Sequence, residues 1–205
     1  MIKKVKICGV SDPYTLDYIL NHPYPPKFIG FICNYEKSKR FIKFEKLKNL
    51  INVDKRKVKF VSVLVNPSND FLEKIKNLNF DYYQLYDVDP ERSREIKKKY
   101  NKKIISSITI SDKADVDEFK KYSGISDIIL FDSKGYHESK SFDHNLLNNI
   151  PGGLNKMIAG NIQIDDIHNL QYKDYIIDLS GALETSEGKK DINKIDKLLN
   201  LTAKI

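Results

Sequence analysis

Apolar and polar residues along this chain follow two rhythms that take turns. Short runs rich in β-branched and aromatic residues recur at Val5–Cys8, Phe28–Ile32, Val58–Val65, Tyr82–Leu85, Ile104–Ile108, Asp127–Phe131, Lys156–Ala159 and Tyr175–Leu179. Each has the length of a buried strand, and they lie about 20–30 residues apart, as βα units require. Between them the period becomes helical. Leu16, Ile19 and Leu20 fall at i, i+3 and i+4, and Phe71, Leu72, Ile75 and Leu78 continue the same spacing. Ile192, Ile195, Leu198 and Leu199 make an apolar stripe on a last helix. Asp70, Asp89 (before Pro90), Asp112 and Asp143 precede helical runs, where a short acceptor side chain caps free backbone N–H groups. The least regular stretch, Phe142–Asn149, predicts one short helical piece.

Strand–helix alternation carried through eight rounds predicts an α/β protein with a parallel sheet and helical crossovers. Eight rounds point to a compact, closed (β/α)₈ TIM barrel, with residues 1–205 as a single domain. A doubly wound open sheet is the alternative, and it usually holds fewer repeats.

Composition narrows the setting. The chain has 40% hydrophobic and 31% charged residues, the balance of a globular protein with a sizeable core. It contains no apolar run of the roughly 20 residues a membrane helix needs, and its start lacks the pattern of a secretory signal. A cytoplasmic location and no membrane partner are the expectations. The net charge of +7 comes mainly from lysines interleaved with acidic residues on predicted helix faces. That is the pattern of a solvated surface, so a nucleic-acid partner is not expected. Cys8 and Cys33 end neighbouring predicted strands, yet a cytosolic chain keeps such thiols reduced. His22, His137, His144 and His168 share no metal-ligand spacing, so no metal site is expected.

In a barrel of this type chemistry sits at the C-terminal strand ends. Those ends carry Cys8-Gly9, Cys33-Asn34, Asn66, Gln84 to Tyr86, Ser106-Ser107, Asp132-Ser133, Gly160-Asn161 and Ser180-Gly181. A thiol and a carboxyl thus converge as an acid–base pair, with no lysine at a strand end to form a Schiff base. The late turns Ala159-Gly160-Asn161 and Ser180-Gly181-Ala182 suit a phosphate, because glycine lets backbone amides approach an anion closely. Lys37-Ser38-Lys39-Arg40 is a basic loop after strand two, and at a barrel mouth its arginine could hold a carboxylate.

These residues, in this order, resemble the phosphoribosylanthranilate isomerase family, the Amadori isomerases of tryptophan biosynthesis. Lys6-Ile7-Cys8-Gly9 is similar to the family's opening K-I-C-G, and Gly30-Phe31-Ile32 with Ser38 and Arg40 to G-F-x-F…S-x-R. Val63-Leu64-Val65-Asn66 resembles V-x-V-x-N, Gln84-Leu85 Q-L, and Leu130-Phe131-Asp132-Ser133 L-L-D-S. Asp178-Leu179-Ser180 with Glu184 resembles D-V-S-x-x-x-E, and Gly188-Lys189-Lys190-Asp191 G-K-K-D.

The resemblance implies roles. Cys8 would be the general base at C2 of the sugar and Asp132 the general acid at the ribose ring oxygen. Arg40 would hold the anthranilate carboxylate, Asp178 would approach the substrate amine, and Gly160, Asn161, Ser180 and Gly181 would cradle the phosphate. It implies a small phosphorylated substrate, no cofactor, and a monomer or homodimer. To act near neutral pH, the Cys8 thiol must titrate below its ordinary range and the Asp132 carboxyl above it. The chain also departs from the family. Q-L-H-G reads Gln84-Leu85-Tyr86-Asp87, and the glycine-rich loop after strand six reads Tyr136-His137-Glu138-Ser139. The usual G-G after strand seven is Gly160-Asn161, and S-S-G after strand eight is Ser180-Gly181-Ala182. Another sugar-phosphate barrel enzyme, a repurposed inactive paralogue and a basic nucleic-acid module are the alternatives.

Overall fold

The computed structural model describes residues 4–133, 141–169 and 174–203. Eight parallel strands close into a barrel in sequence order: β1 (Val5–Cys8), β2 (Phe28–Ile32), β3 (Lys59–Val65), β4 (Tyr82–Tyr86), β5 (Lys103–Ile110), β6 (Ile128–Ser133), β7 (Lys156–Ile158) and β8 (Ile176–Leu179). β8 pairs back onto β1, with Lys6 opposite Asp178, so the sheet has no free edge. All eight expected strands are present. β5 runs further than its apolar core suggested, because Lys103 and Thr109-Ile110 still find ladder partners in β4 and β6.

The strands are apolar on both faces because both are buried. Val61, Val63, Tyr82, Ile105, Ile128, Leu130, Met157 and Ile176 fill the interior. The alternate positions, among them Ile7, Ile29, Phe60, Leu64, Phe131 and Ile177, form an outer core with the helices. Those helices are α1 (Pro13–Asn21), α2 (Phe44–Leu50), α3 (Asn69–Ile75), α4 (Pro90–Tyr100), α5 (Lys113–Asp117), α6 (Phe119–Tyr122) and α7 (Ile192–Ala203). Ile195, Leu198 and Leu199 are the buried stripe of α7. Among the described residues no helix is long and apolar enough to cross a membrane.

Asp89 caps α4 and Asp112 caps α5, each accepting backbone N–H bonds. For α3 the expectation needs correction. Ser68 is the cap, accepting from Phe71 N, and Asp70 stands inside the first turn. Either residue suits a helix start, and the serine lies two positions earlier where the chain is still extended. Asp143 caps only a short 3₁₀ turn, His144–Leu147. The connection after β7 is likewise a 3₁₀ turn, Ile164–Asn169. A hairpin that apolar periodicity did not reveal, β9 (Glu184–Ser186) with β10 (Lys189–Lys190), lies between β8 and α7. The loop at Tyr136 to Ser139, with its His137, lies outside the described residues.

Candidate active site

Parallel strands deliver all their C-terminal ends to one rim, and a cleft opens there. Its empty space, solvent-facing mouth included, is about 1010 Å³. Cys8, Arg40, Asp132, Gly160, Asn161, Asp178, Ser180 and Gly181 all line it. The fold therefore brings together the eight residues to which the resemblance assigns roles, whereas Cys33, Asn34, Asn66, Gln84, Ser106 and Ser107, also named at strand ends, do not line the cleft.

Cys8 ends β1, and Gly9 follows with φ +76°, a left-handed conformation that favours glycine. A β-carbon on Gly9 would lie 2.5 Å from Cδ of Arg40, so this glycine clears the path of the arginine stem. Gly30, opposite Cys8 on β2, plays the same part for the interior. A β-carbon there would meet Sγ of Cys8 at 2.9 Å and Nζ of Lys6 at 3.2 Å. The thiol and the lysine thus share the space that Gly30 leaves open.

Lys6 is fully buried, and its Nζ donates to Oδ2 of Asp178 at 2.6 Å. Burial pulls the Lys6 ammonium down, but Asp178 and Cys8 outweigh it and hold Lys6 above its ordinary range. Oδ1 of Asp178 is buried and has no hydrogen-bond partner among the described residues. Burial pushes the Cys8 thiol up, with Lys6 and Lys190 pulling the other way. The fall expected for this thiol is therefore reversed, because removing water outweighs both ammonium groups.

For the Asp132 carboxyl the direction is the one expected. Burial raises its carboxyl from 3.8 to about 6; the neighbouring Asp178 adds to the rise, while bonds from Tyr86 and Ser133 oppose it. Ser133 N–H donates to Oδ1 at 2.8 Å, and the Tyr86 hydroxyl donates to Oδ2 at 2.7 Å.

Arg40 reaches the cleft already engaged. Its Nε and Nη2 donate to the two carboxylate oxygens of Glu184 at 2.7 and 2.8 Å, which uses two of the five N–H groups a guanidinium carries. Glu184 also accepts from Lys190 Nζ at 2.7 Å and from Gly188 N at 3.0 Å. Burial would raise this carboxyl, but Arg40 and Lys190 bring it down to about 2. A β-carbon on Gly188 would sit 2.6 Å from the Lys39 carbonyl oxygen, so the hairpin and the basic loop touch backbone to backbone.

The late turns flank the same cleft. Gly160 and Asn161 both have left-handed backbones, with φ +95° and +53°. Asparagine is the residue next most tolerant of that conformation, so the turn keeps its path without a second glycine. Ser180 donates from Oγ to the Cys8 carbonyl at 3.1 Å, and Lys190 Nζ donates to the Ser180 carbonyl at 3.0 Å. The 3₁₀ turn Gly181–Leu183 starts directly after it. Among the described residues no group of His, Cys, Asp and Glu side chains is placed to hold a metal ion.

Sequence reasoning treated Lys6, Glu184 and Lys190 only as letters of motifs. Lys6 left a readable signal: it shares strand parity with Cys8, so a lysine had to point inward. Glu184 and Lys190 left none, because their meeting depends on the unforeseen hairpin.

A family profile described as N-(5'phosphoribosyl)anthranilate (PRA) isomerase matches residues 5–201. The chain is 31% identical to the N-(5'-phosphoribosyl)anthranilate isomerase of Agrobacterium fabrum, over 96% of this chain and 93% of that protein. It is 32% identical to the enzyme of that name from Rhizobium rhizogenes, over 97% and 93%. Its fold is similar to the crystal structure of phosphoribosyl anthranilate isomerase from Thermotoga maritima, with TM-score 0.84, 22% identity and complete coverage of both chains. It is also similar to a phosphoribosyl anthranilate isomerase in complex with reduced 1-(o-carboxyphenylamino)-1-deoxyribulose 5-phosphate, with TM-score 0.81, 21% identity and complete coverage of both chains.

Proposed function

The chain belongs to the N-(5'-phosphoribosyl)anthranilate isomerase family, and we propose that its single barrel domain, residues 1–205, catalyses this isomerisation with Cys8 as base and Asp132 as acid. The product is 1-(2-carboxyphenylamino)-1-deoxyribulose 5-phosphate, in tryptophan biosynthesis. The observation that carries the assignment of roles is the convergence of Cys8 from β1 and Asp132 from β6 on one cleft, with Arg40 and two glycine-containing turns on its rim.

The reaction begins with the carboxyl that burial keeps protonated to about pH 6. Asp132 gives its proton to the ribose ring oxygen, the bond from that oxygen to C1 breaks, and the amine lone pair closes a C1=N⁺ double bond. The Cys8 thiolate then takes the proton from C2. The electrons of that C–H bond form C1=C2, and the nitrogen becomes neutral. The resulting enol-amine gains a proton at C1 and loses one from O2, which gives the ketone. No oxidant, reductant or metal enters this balance.

A buried thiol with a raised pKa still suits the second step. Lys6 stands beside Cys8, and ring opening places a new cation on the substrate nitrogen. Each favours the thiolate. Oδ1 of Asp178, buried and without a hydrogen-bond partner among the described residues, is the acceptor for the substrate N–H. Arg40 keeps three N–H groups beyond its Glu184 pair, and those bind the anthranilate carboxylate. Backbone amides at Gly160, Asn161, Ser180 and Gly181 hold the phosphate, helped by Lys190 behind Ser180. The setting is the cytosol, where the free thiols of Cys8 and Cys33 stay reduced.

The test is turnover by the purified wild-type protein, followed through the fluorescence of the anthranilate ring with a chelator present. Steady conversion unaffected by the chelator supports the reading. No conversion at any substrate concentration contradicts it.

A further inference from the structure

We propose that Tyr86 is the positioning residue for the acid, a hydroxyl on β4 that holds the Asp132 carboxyl of β6 in place across the barrel interior. The inference rests on Asp132 being the acid, as argued above.

β4 and β6 are not neighbours in the sheet; β5 lies between them. The two strands are joined instead through side chains that point inward. Tyr86 is buried, its hydroxyl donates to Oδ2 of Asp132 at 2.7 Å, and Gln84 Nε2 donates to the same hydroxyl at 3.1 Å. Gln84 has no exposed surface and lies two residues earlier on the same strand, so it steers the hydroxyl from below. Ser133 N–H binds the other carboxylate oxygen at 2.8 Å. With one donor on each oxygen among the described residues, turning the carboxyl about its own axis breaks both bonds. The group stays in one orientation without help from a bound ligand.

The link also acts on the chemistry. Tyr86 donates to the carboxylate, the form Asp132 reaches only after giving up its proton. It therefore stabilises the state that proton delivery creates and makes Asp132 a stronger acid than burial alone would leave it. Burial and the neighbouring Asp132 push the phenol well above its ordinary range, so it remains a neutral donor at every working pH. An imidazole, which the family motif carries at this position, titrates near 6.5 and would change its own charge as the acid works. The tyrosine removes that second titration from the site.

The experiment follows the Asp132 carboxyl by ¹³C NMR in protein made with labelled aspartate, its resonance identified by its loss in Asp132→Asn. Tyr86→Phe is expected to move the titration midpoint upward by roughly one pH unit or more, as removal of a charge-assisted hydrogen bond requires. It is expected to lower kcat about tenfold, and to lower it no further when Asp132 is already Asn. An unmoved midpoint overturns the proposal. So does an equal loss of kcat in the Asp132→Asn background. Should Tyr86→Phe not fold, Gln84→Leu frees the same hydroxyl; a smaller upward movement supports the link, and none overturns it. If Asp132→Asn keeps wild-type turnover, the acid assignment falls, while the titration still reports whether Tyr86 grips Asp132.

Discussion

Cys8 and Asp132 sit where loss of water pushes both toward their neutral forms. The working pair, thiolate beside carboxylic acid, is then a minor form at every pH. Its share is constant between the carboxyl titration near 6 and the higher titration of the thiol, and it shrinks outside that window. The expected profile of kcat/KM is flat above about pH 6 and falls as pH drops below it, where Asp132 is fully protonated and the thiolate still declines. Lys6 supplies a second prediction at this scale. Lys6→Met leaves Asp178 as a buried carboxyl without its cation, an arrangement that costs about 3–5 kcal/mol on chemical denaturation. It should also move the Cys8 thiol further up, measured by thiolate absorbance; an unmoved thiol would separate Lys6 from the base. Cys8 and Asp132 were legible as strand-end chemistry, and Arg40 as part of the basic loop after β2. Lys6 was legible only through its parity with Cys8, and Tyr86 stood in the right place without an evident partner. Which inward side chains meet across a barrel depends on register and curvature, and neither is written in spacing.

At the scale of elements, the turns and the late hairpin set the shape of the mouth. Gly188 has φ +83°, and a β-carbon there would press on the Lys39 carbonyl at 2.6 Å. Gly188→Ala should therefore destabilise the fold by roughly 1–3 kcal/mol through strain and displacement. Because Gly188 N also binds Glu184, the partner of Arg40, the same variant should raise KM more than it lowers kcat. Steady-state kinetics on the variant separate the two; a fall in kcat alone would detach the hairpin from substrate binding. Strands were more legible than helices here. A strand buried on both faces writes an unbroken apolar run, whereas the 3₁₀ turns His144–Leu147 and Ile164–Asn169 are too short to show a period. The hairpin is only three residues on one side and two on the other, mostly polar, and its signature was the Gly188 turn alone.

The whole molecule carries the opposing effects of its site on stability. The Glu184 carboxyl falls from 4.5 in the unfolded chain to about 2 in the fold, so its contribution is complete above pH 4.5 and lost as pH falls through about 2. Asp132 rises from 3.8 to about 6, so the fold is favoured at this group below pH 3.8 and loses that support as pH rises through about 6. Asp132→Asn should accordingly be more stable than wild type at pH 8, by up to about 3 kcal/mol, and gain little at pH 4. Equal gains at both pH values would mean that ionisation of Asp132 is not what strains the fold. The barrel itself was legible because eight apolar runs at regular spacing leave few other topologies. The measurement that bears most directly on the account is the turnover of N-(5'-phosphoribosyl)anthranilate by Cys8→Ser and by Asp132→Asn, each checked for an unchanged circular dichroism spectrum. Each should lose at least about 100-fold in kcat. Folded variants that both turn over within a few-fold of wild type would contradict the assignment of base and acid.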